Sequence, residues 1–149
     1  MEISASGKDP EKGKIIHQHL IVKAYVRKPP FTATEVENWL RELVADIKMN
    51  IIIGPHAKYV DAVGNAGATG VIGIETSHAA VHVWVEPDPA MLQMDVYSCS
   101  CFEMDTVINK LKEFDIVDYE AMMIDRNGGF FISEHRKFAE EHPKNLPKI

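Results

Sequence analysis

Apolar and polar positions alternate along residues 16–26. Leu20, Val22, Ala24 and Val26 fall on one face of an extended chain, and Ile21, Lys23 and Tyr25 on the other. Pro29-Pro30 ends this strand. The period then changes: Val36, Trp39, Leu40, Leu43, Val44 and Ile47 recur at helical spacing, and Thr32 with Glu35, or Thr34 with Glu37, offers an N-terminal cap. A short strand over 50–53 is stopped by Gly54-Pro55. Residues 56–69 have no period and hold Gly64, Asn65, Gly67 and Thr69, a loop of the length that is usually functional or disordered. Strands follow over 70–74 and 79–85, and 86–90, with two prolines, turns the chain. A strand over 92–101 puts Leu92, Met94, Val96 and Ser98 on one face and Asp95, Tyr97, Cys99 and Cys101 on the other.

Val107, Ile108, Leu111 and Phe114 mark a second helix, and 119–124 a last strand before the Asn127-Gly128-Gly129 turn. The charged stretch 133–149 reads as a surface helix or tail, and the polar residues 1–14 as a mobile arm. The order β-α-β-β-β-β-α-β predicts an α+β fold, a two-layer sandwich in which a mostly antiparallel sheet carries two helices on one face. The chain, 1–149, reads as a single domain with its core over 15–132.

Composition narrows the partners. The chain is 46% hydrophobic and 26% charged, enough to bury a core without disulfides, and its formal charge is −6. No basic stripe is present, so nucleic acid is not expected, and a cationic or zwitterionic small molecule suits the charge better. No apolar run suggests a membrane span or a secretion leader. The two cysteines, Cys99 and Cys101, would sit about 6.5–7 Å apart on one strand face, at the edge of what a disulfide spans. Unbridged thiols in a reducing cytoplasm are the expectation.

Seven histidines raise the question of a metal. His17 and His19 share a strand face, and His78 and His82 share another, but four strand residues span about 13 Å, too far for one zinc ion. No metal site is expected. Asp95 lies in an otherwise apolar strand, where burial raises its pKa or a cation pairs with it. Cys99 and Cys101 are either small buried residues or, beside a histidine, an acid or nucleophile. No nucleophile elbow, P-loop, dinucleotide fingerprint or HExxH motif occurs. Ser77-His78 is by itself a weak signal.

A longer pattern is more specific. The run from Gly70 to Glu86, with Glu75-Thr76-Ser77-His78 and then His82-Val83-Trp84-Val85-Glu86, resembles the core of the prokaryotic S-adenosylmethionine decarboxylase proenzymes. That family has a Gly-rich approach, an apolar strand, E-S-H, three residues and H-T-W-P-E. Its next strand, apolar-Asp-apolar-aromatic-Thr-Cys, is matched by Met94-Asp95-Val96-Tyr97-Ser98-Cys99, and His19-Leu20 resembles its first strand. Thr76 stands where the family has Glu, and Val85 where it has Pro. The resemblance covers about residues 17–124.

The resemblance implies a proenzyme that cuts its own Thr76–Ser77 bond by an N-to-O acyl shift and turns Ser77 into a pyruvoyl cofactor. That group forms a Schiff base with S-adenosylmethionine during decarboxylation, in spermidine and wider polyamine synthesis. It further implies that His82 assists by proton removal, that Thr69 assists processing and that Cys99 protonates the product carbon. Tyr59, His78 and Glu86 are candidate substrate contacts, Tyr59 as the aromatic for adenine. A homodimer with facing sheets and a site near the interface is implied as well. Two alternatives are an arginine or ornithine decarboxylase, in which an acid near the 56–67 loop such as Asp61 would meet the cation, and a homologue that never processes and serves as a binding protein.

Overall fold

The computed structural model describes residues 16–141. The expected arm over 1–14 and the last residues of the expected tail lie outside them. Seven strands form one antiparallel sheet: β1 Gln18–Val26, β2 Ile51–Val60, β3 Gly67–Ile74, β4 Ser77–Trp84, β5 Ala90–Ser98, β6 Ile116–Asp125 and β7 Phe131–Ala139. Their order across the sheet is β2-β3-β4-β5-β1-β6-β7. Two helices, α1 Ala33–Asp46 and α2 Met104–Leu111, the latter continued by a 3₁₀ turn over Lys112–Phe114, cover one face. This is the two-layer α+β sandwich that the sequence predicts. Among the described residues no helix is long and apolar enough to cross a membrane.

The layers close through the alternation of the strands. Leu20, Val22, Ala24, Ala79, Val81, Val83, Leu92, Val96 and Ala121 point towards the helices and are buried with Val36, Leu40, Leu43, Val107 and Leu111. α1 starts at Thr32, whose hydroxyl accepts from the Glu35 N–H at 3.1 Å while Glu35 accepts from the Thr32 N–H at 3.0 Å. Of the two capping pairs in the sequence, this one forms. Glu37 instead accepts the Ala57 N–H at 3.0 Å and ties the helix to β2. Gly70 allows α1 to approach β3, since a Cβ there would lie 2.5 Å from Val36 Cγ1. Trp39 lies across the interior and donates its indole N–H to the Lys110 carbonyl at 3.2 Å.

Two expectations are corrected. Gly54-Pro55 does not end the second strand, and most of the expected 56–69 loop is strand: β2 continues to Val60 and β3 begins at Gly67. β2 is an edge strand, where a proline is tolerated, and register shifts between Ile51 and His56 absorb the Gly54-Pro55 irregularity. Only 61–66 remains as loop. Second, residues 131–139 are the seventh strand, paired with β6, rather than a surface helix or tail. Its side chains are almost all exposed, so no buried face imposes an apolar alternation. Charged residues such as Glu134, Arg136 and Lys137 suit an unprotected sheet edge.

The face without helices remains open. Across it run registered rows of side chains: Gly73, His78, Tyr97, His19 and Ile124 in one, Thr69, His82, Gln93, Lys23 and Glu120 in another. A hollow of about 540 Å³ on this face is lined by Ile21, Lys23, Thr69, His82, Asp95 and Glu120, among others.

Candidate active site

β3 and β4 are joined by a two-residue turn, Glu75-Thr76, with Ile74 opposite Ser77. The turn is fastened to the start of β2. The Glu75 N–H donates to the Asn50 carbonyl, the Asn50 side chain donates to Glu75 Oε1, and the Thr76 hydroxyl points at the Met49 sulfur, each at 3.0 Å. Ser77 has φ +148°, a conformation that L-residues rarely adopt. Such backbone costs on the order of 1–3 kcal/mol and persists only where its surroundings enforce it. β5 supplies the other wall: Ser98 lies opposite Ser77, and the Cys99 N–H donates to the Thr76 carbonyl oxygen at 2.9 Å. The carbonyl of the Thr76–Ser77 bond is therefore polarised by a fixed backbone donor, with the half-buried Cys99 attached to that donor.

Thr69 and His82 come together as a pair. They are opposite one another on β3 and β4, and Thr69 Oγ1 lies 2.7 Å from His82 Nδ1. His82 Nε2 is buried without a hydrogen-bond partner, and the Trp84 ring covers the imidazole with 3.8 Å between centroids. Burial lowers the His82 pKa, because the imidazolium would lose its hydration, so the ring is held neutral. The pair is distant from Ser77 of its own chain: five strand steps separate Ser77 from His82, about 16 Å.

A model of the S-adenosylmethionine decarboxylase family matches residues 18–127. The chain belongs to that family. A search of curated proteins finds no match. The family match runs from β1 through the end of β6 and contains Thr69, Thr76, Ser77, His82 and Cys99.

Two expected substrate contacts do not join the others of this family member. Tyr59 packs on the helix side of the sheet, opposite the buried Ala68 and against Phe31, with ring centroids 5.3 Å apart. Glu86 accepts the Gly64 N–H at 3.1 Å and thereby fastens the 61–66 loop. Cys101 is beyond the end of β5, so it does not share a strand face with Tyr97, and no disulfide joins it to Cys99.

The third, His78, stands in a cluster that reading along the chain did not assemble. Its Nε2 is 3.3 Å from Asp95 Oδ2, which also receives His19 Nε2 at 2.8 Å. Arg126, from just beyond β6, reaches His19 Nδ1 at 3.2 Å and stacks over Tyr97 at 4.1 Å. Tyr97 in turn contacts His17 Nδ1 at 2.9 Å. The ligand atoms of His19, His78 and Asp95 lie within 4.8 Å of one another, so the tertiary structure does gather a donor set that could hold a metal. The tautomer of His19 opposes it. A guanidinium only donates, so His19 Nδ1 accepts from Arg126 and its proton is on Nε2, directed at Asp95 where an ion would bind. The sequence signal for this cluster was Asp95 in an apolar strand; Arg126 carried none.

Proposed function

We propose that this chain is a self-processing decarboxylase that splits its Thr76–Ser77 bond, converts Ser77 into a pyruvoyl group and acts on S-adenosylmethionine in polyamine synthesis. Its family is in general pyruvoyl-dependent. The observation that carries the reading is the state of the bond: Ser77 is held at φ +148° while the Cys99 N–H grips the Thr76 carbonyl. In the first step Ser77 Oγ attacks the Thr76 carbonyl carbon, and the developing oxyanion is met by that N–H. The C–N bond breaks, its nitrogen takes up a proton, and an ester replaces the amide. Loss of the Ser77 Cα proton expels the Thr76 carboxylate, and one water then releases ammonia to leave a ketone. A ketone here supplies an electron sink for a bound amine that loses CO₂. Cys99, whose N–H holds that carbonyl, carries the thiol that in this reading returns a proton to carbon.

The role of His82 requires a second copy. At about 16 Å from its own Ser77, and lining the hollow on the open face, the Thr69–His82 pair suits the removal of the Cα proton from Ser77 of a partner. A homodimer docked open face to open face supplies that arrangement. Intact mass under denaturing conditions tests the reading. The expected result is two fragments, 1–76 and 77–149, the second ketone-capped. A single full-length chain, stable over days, would overturn it.

A second substrate reading is favoured by one observation. Tyr59, the expected adenine platform, is turned to the helix side, whereas Asp95 and Glu120 line the open hollow. A guanidinium or ammonium side chain, as in arginine or ornithine, suits those acids. Release of CO₂ from each of the three substrates by the split protein decides between them.

A further inference from the structure

The resemblance gives the proton-removing role to His82, yet a different imidazole touches the serine. Ser77 Oγ lies 3.3 Å from His78 Nδ1. Hydrogen bonding around His78 sets what that nitrogen can do. Asp95 Oδ2 already receives the Nε2–H of His19, whose tautomer is set by Arg126. His78 Nε2 faces the same carboxylate oxygen at 3.3 Å, which as an acceptor places the His78 proton on Nε2. Nδ1 is then left with its lone pair towards Ser77, and the hydroxyl donates to it. The line Ser77–His78–Asp95 has the order hydroxyl, imidazole, carboxylate that activates a serine elsewhere. The carboxylate is itself steadied by His19, with Arg126 behind it. Neighbouring residues in a strand ordinarily face opposite sides of a sheet. Here the positive φ of Ser77 accompanies a contact between them.

We propose that His78 is the base for the first step of self-processing and that Asp95 positions it, an assignment that rests on the self-processing reading above. As Ser77 Oγ bonds to the Thr76 carbonyl carbon, its proton passes to His78 Nδ1. As the Thr76–Ser77 C–N bond breaks, the same proton passes to the departing nitrogen. The step is isomerisation of an amide to an ester; nothing is oxidised or reduced, and His78 ends as it began. His82 and His78 thus act at different stages. His78 governs formation of the ester, and His82, from a second copy, governs its elimination.

The test is a time course of splitting, read by denaturing mass spectrometry, for the full chain and for His78→Ala, Asp95→Asn and the double variant. His78→Ala should split at least about a hundredfold more slowly, in keeping with loss of a general base. Added imidazole should restore part of that rate to His78→Ala and none to Ser77→Ala. Hydroxylamine, which cuts esters, should leave His78→Ala whole because no ester has formed. Asp95→Asn should slow splitting in the otherwise native chain and add little to His78→Ala, since a positioning residue has nothing left to position. The His78 side chain is 47% exposed, so its removal leaves the core intact. A wild-type chain that never splits would overturn the self-processing reading and this assignment together. A wild-type chain that splits, beside a His78→Ala chain that splits as fast, or one that is slow but unmoved by imidazole, would overturn the role of His78 alone.

Discussion

The backbone N–H of Cys99 and the carbonyl oxygen of Thr76 are 2.9 Å apart, so the segment that bears the thiol also grips the bond before Ser77. Under the proposed function, two tasks fall to different atoms of one residue: the main chain would stabilise the oxyanion of processing, and the side chain would deliver a proton later.

Cys99→Ala should accordingly process at close to the native rate, because it keeps the N–H, while turnover of substrate should fall by about 10²-fold or more. Fragment formation and CO₂ release, measured on the same sample, check this. Unchanged CO₂ release would move the proton donor elsewhere.

Ser77→Ala and Ser77→Gly should both remain uncut, but their stabilities should differ. At φ +148° alanine keeps the strain of the serine, whereas glycine does not, so Ser77→Gly should be the more stable by about 1–3 kcal/mol. Denaturant unfolding of the two uncut proteins measures the gap. Equal stabilities would mean that the backbone at 77 is relaxed.

Processing should pass between copies. Chains carrying His82→Ala should fail to split alone and should split when assembled with Ser77→Ala chains, which contribute an intact His82. Distinct mass tags on the two chains make the outcome readable. A His82→Ala chain that splits unaided at the native rate would remove the second-copy arrangement.

His82 also predicts a pH dependence of stability. Its folded pKa is lowered below the ordinary 6.5, so the fold favours the neutral ring. The contribution is complete above about pH 6.5 and is lost as pH falls through the folded pKa. Lys23, Asp95 and Glu120 line the same hollow, and all three are retained in the His82→Gln comparison. The stability of the native chain should therefore fall more steeply on acidification than that of His82→Gln. Parallel unfolding curves at pH 7.5 and 5.5 would contradict the burial of this ring.

The sequence by itself determined the layers. Alternation placed β1, β3, β4 and β5, helical spacing placed α1 and α2, and both signals exist because a residue's side of the sheet decides whether it meets water. Its resemblance to a known family also marked the Thr76–Ser77 bond, Thr69, His82 and Cys99 as candidates, which periodicity and composition did not. Where burial does not act, the pattern fell silent: β7 is exposed along almost its entire length, and β2 runs through a Gly-Pro at a sheet edge. The tertiary structure alone decided which distant residues meet. Strand order places β1 and β4 on either side of β5, and that adjacency brings His19 and His78 to one oxygen of Asp95. The same registers hold His82 away from its own Ser77 and turn Tyr59 to the helix side, because a strand's straight reach and two-residue period fix both distance and face.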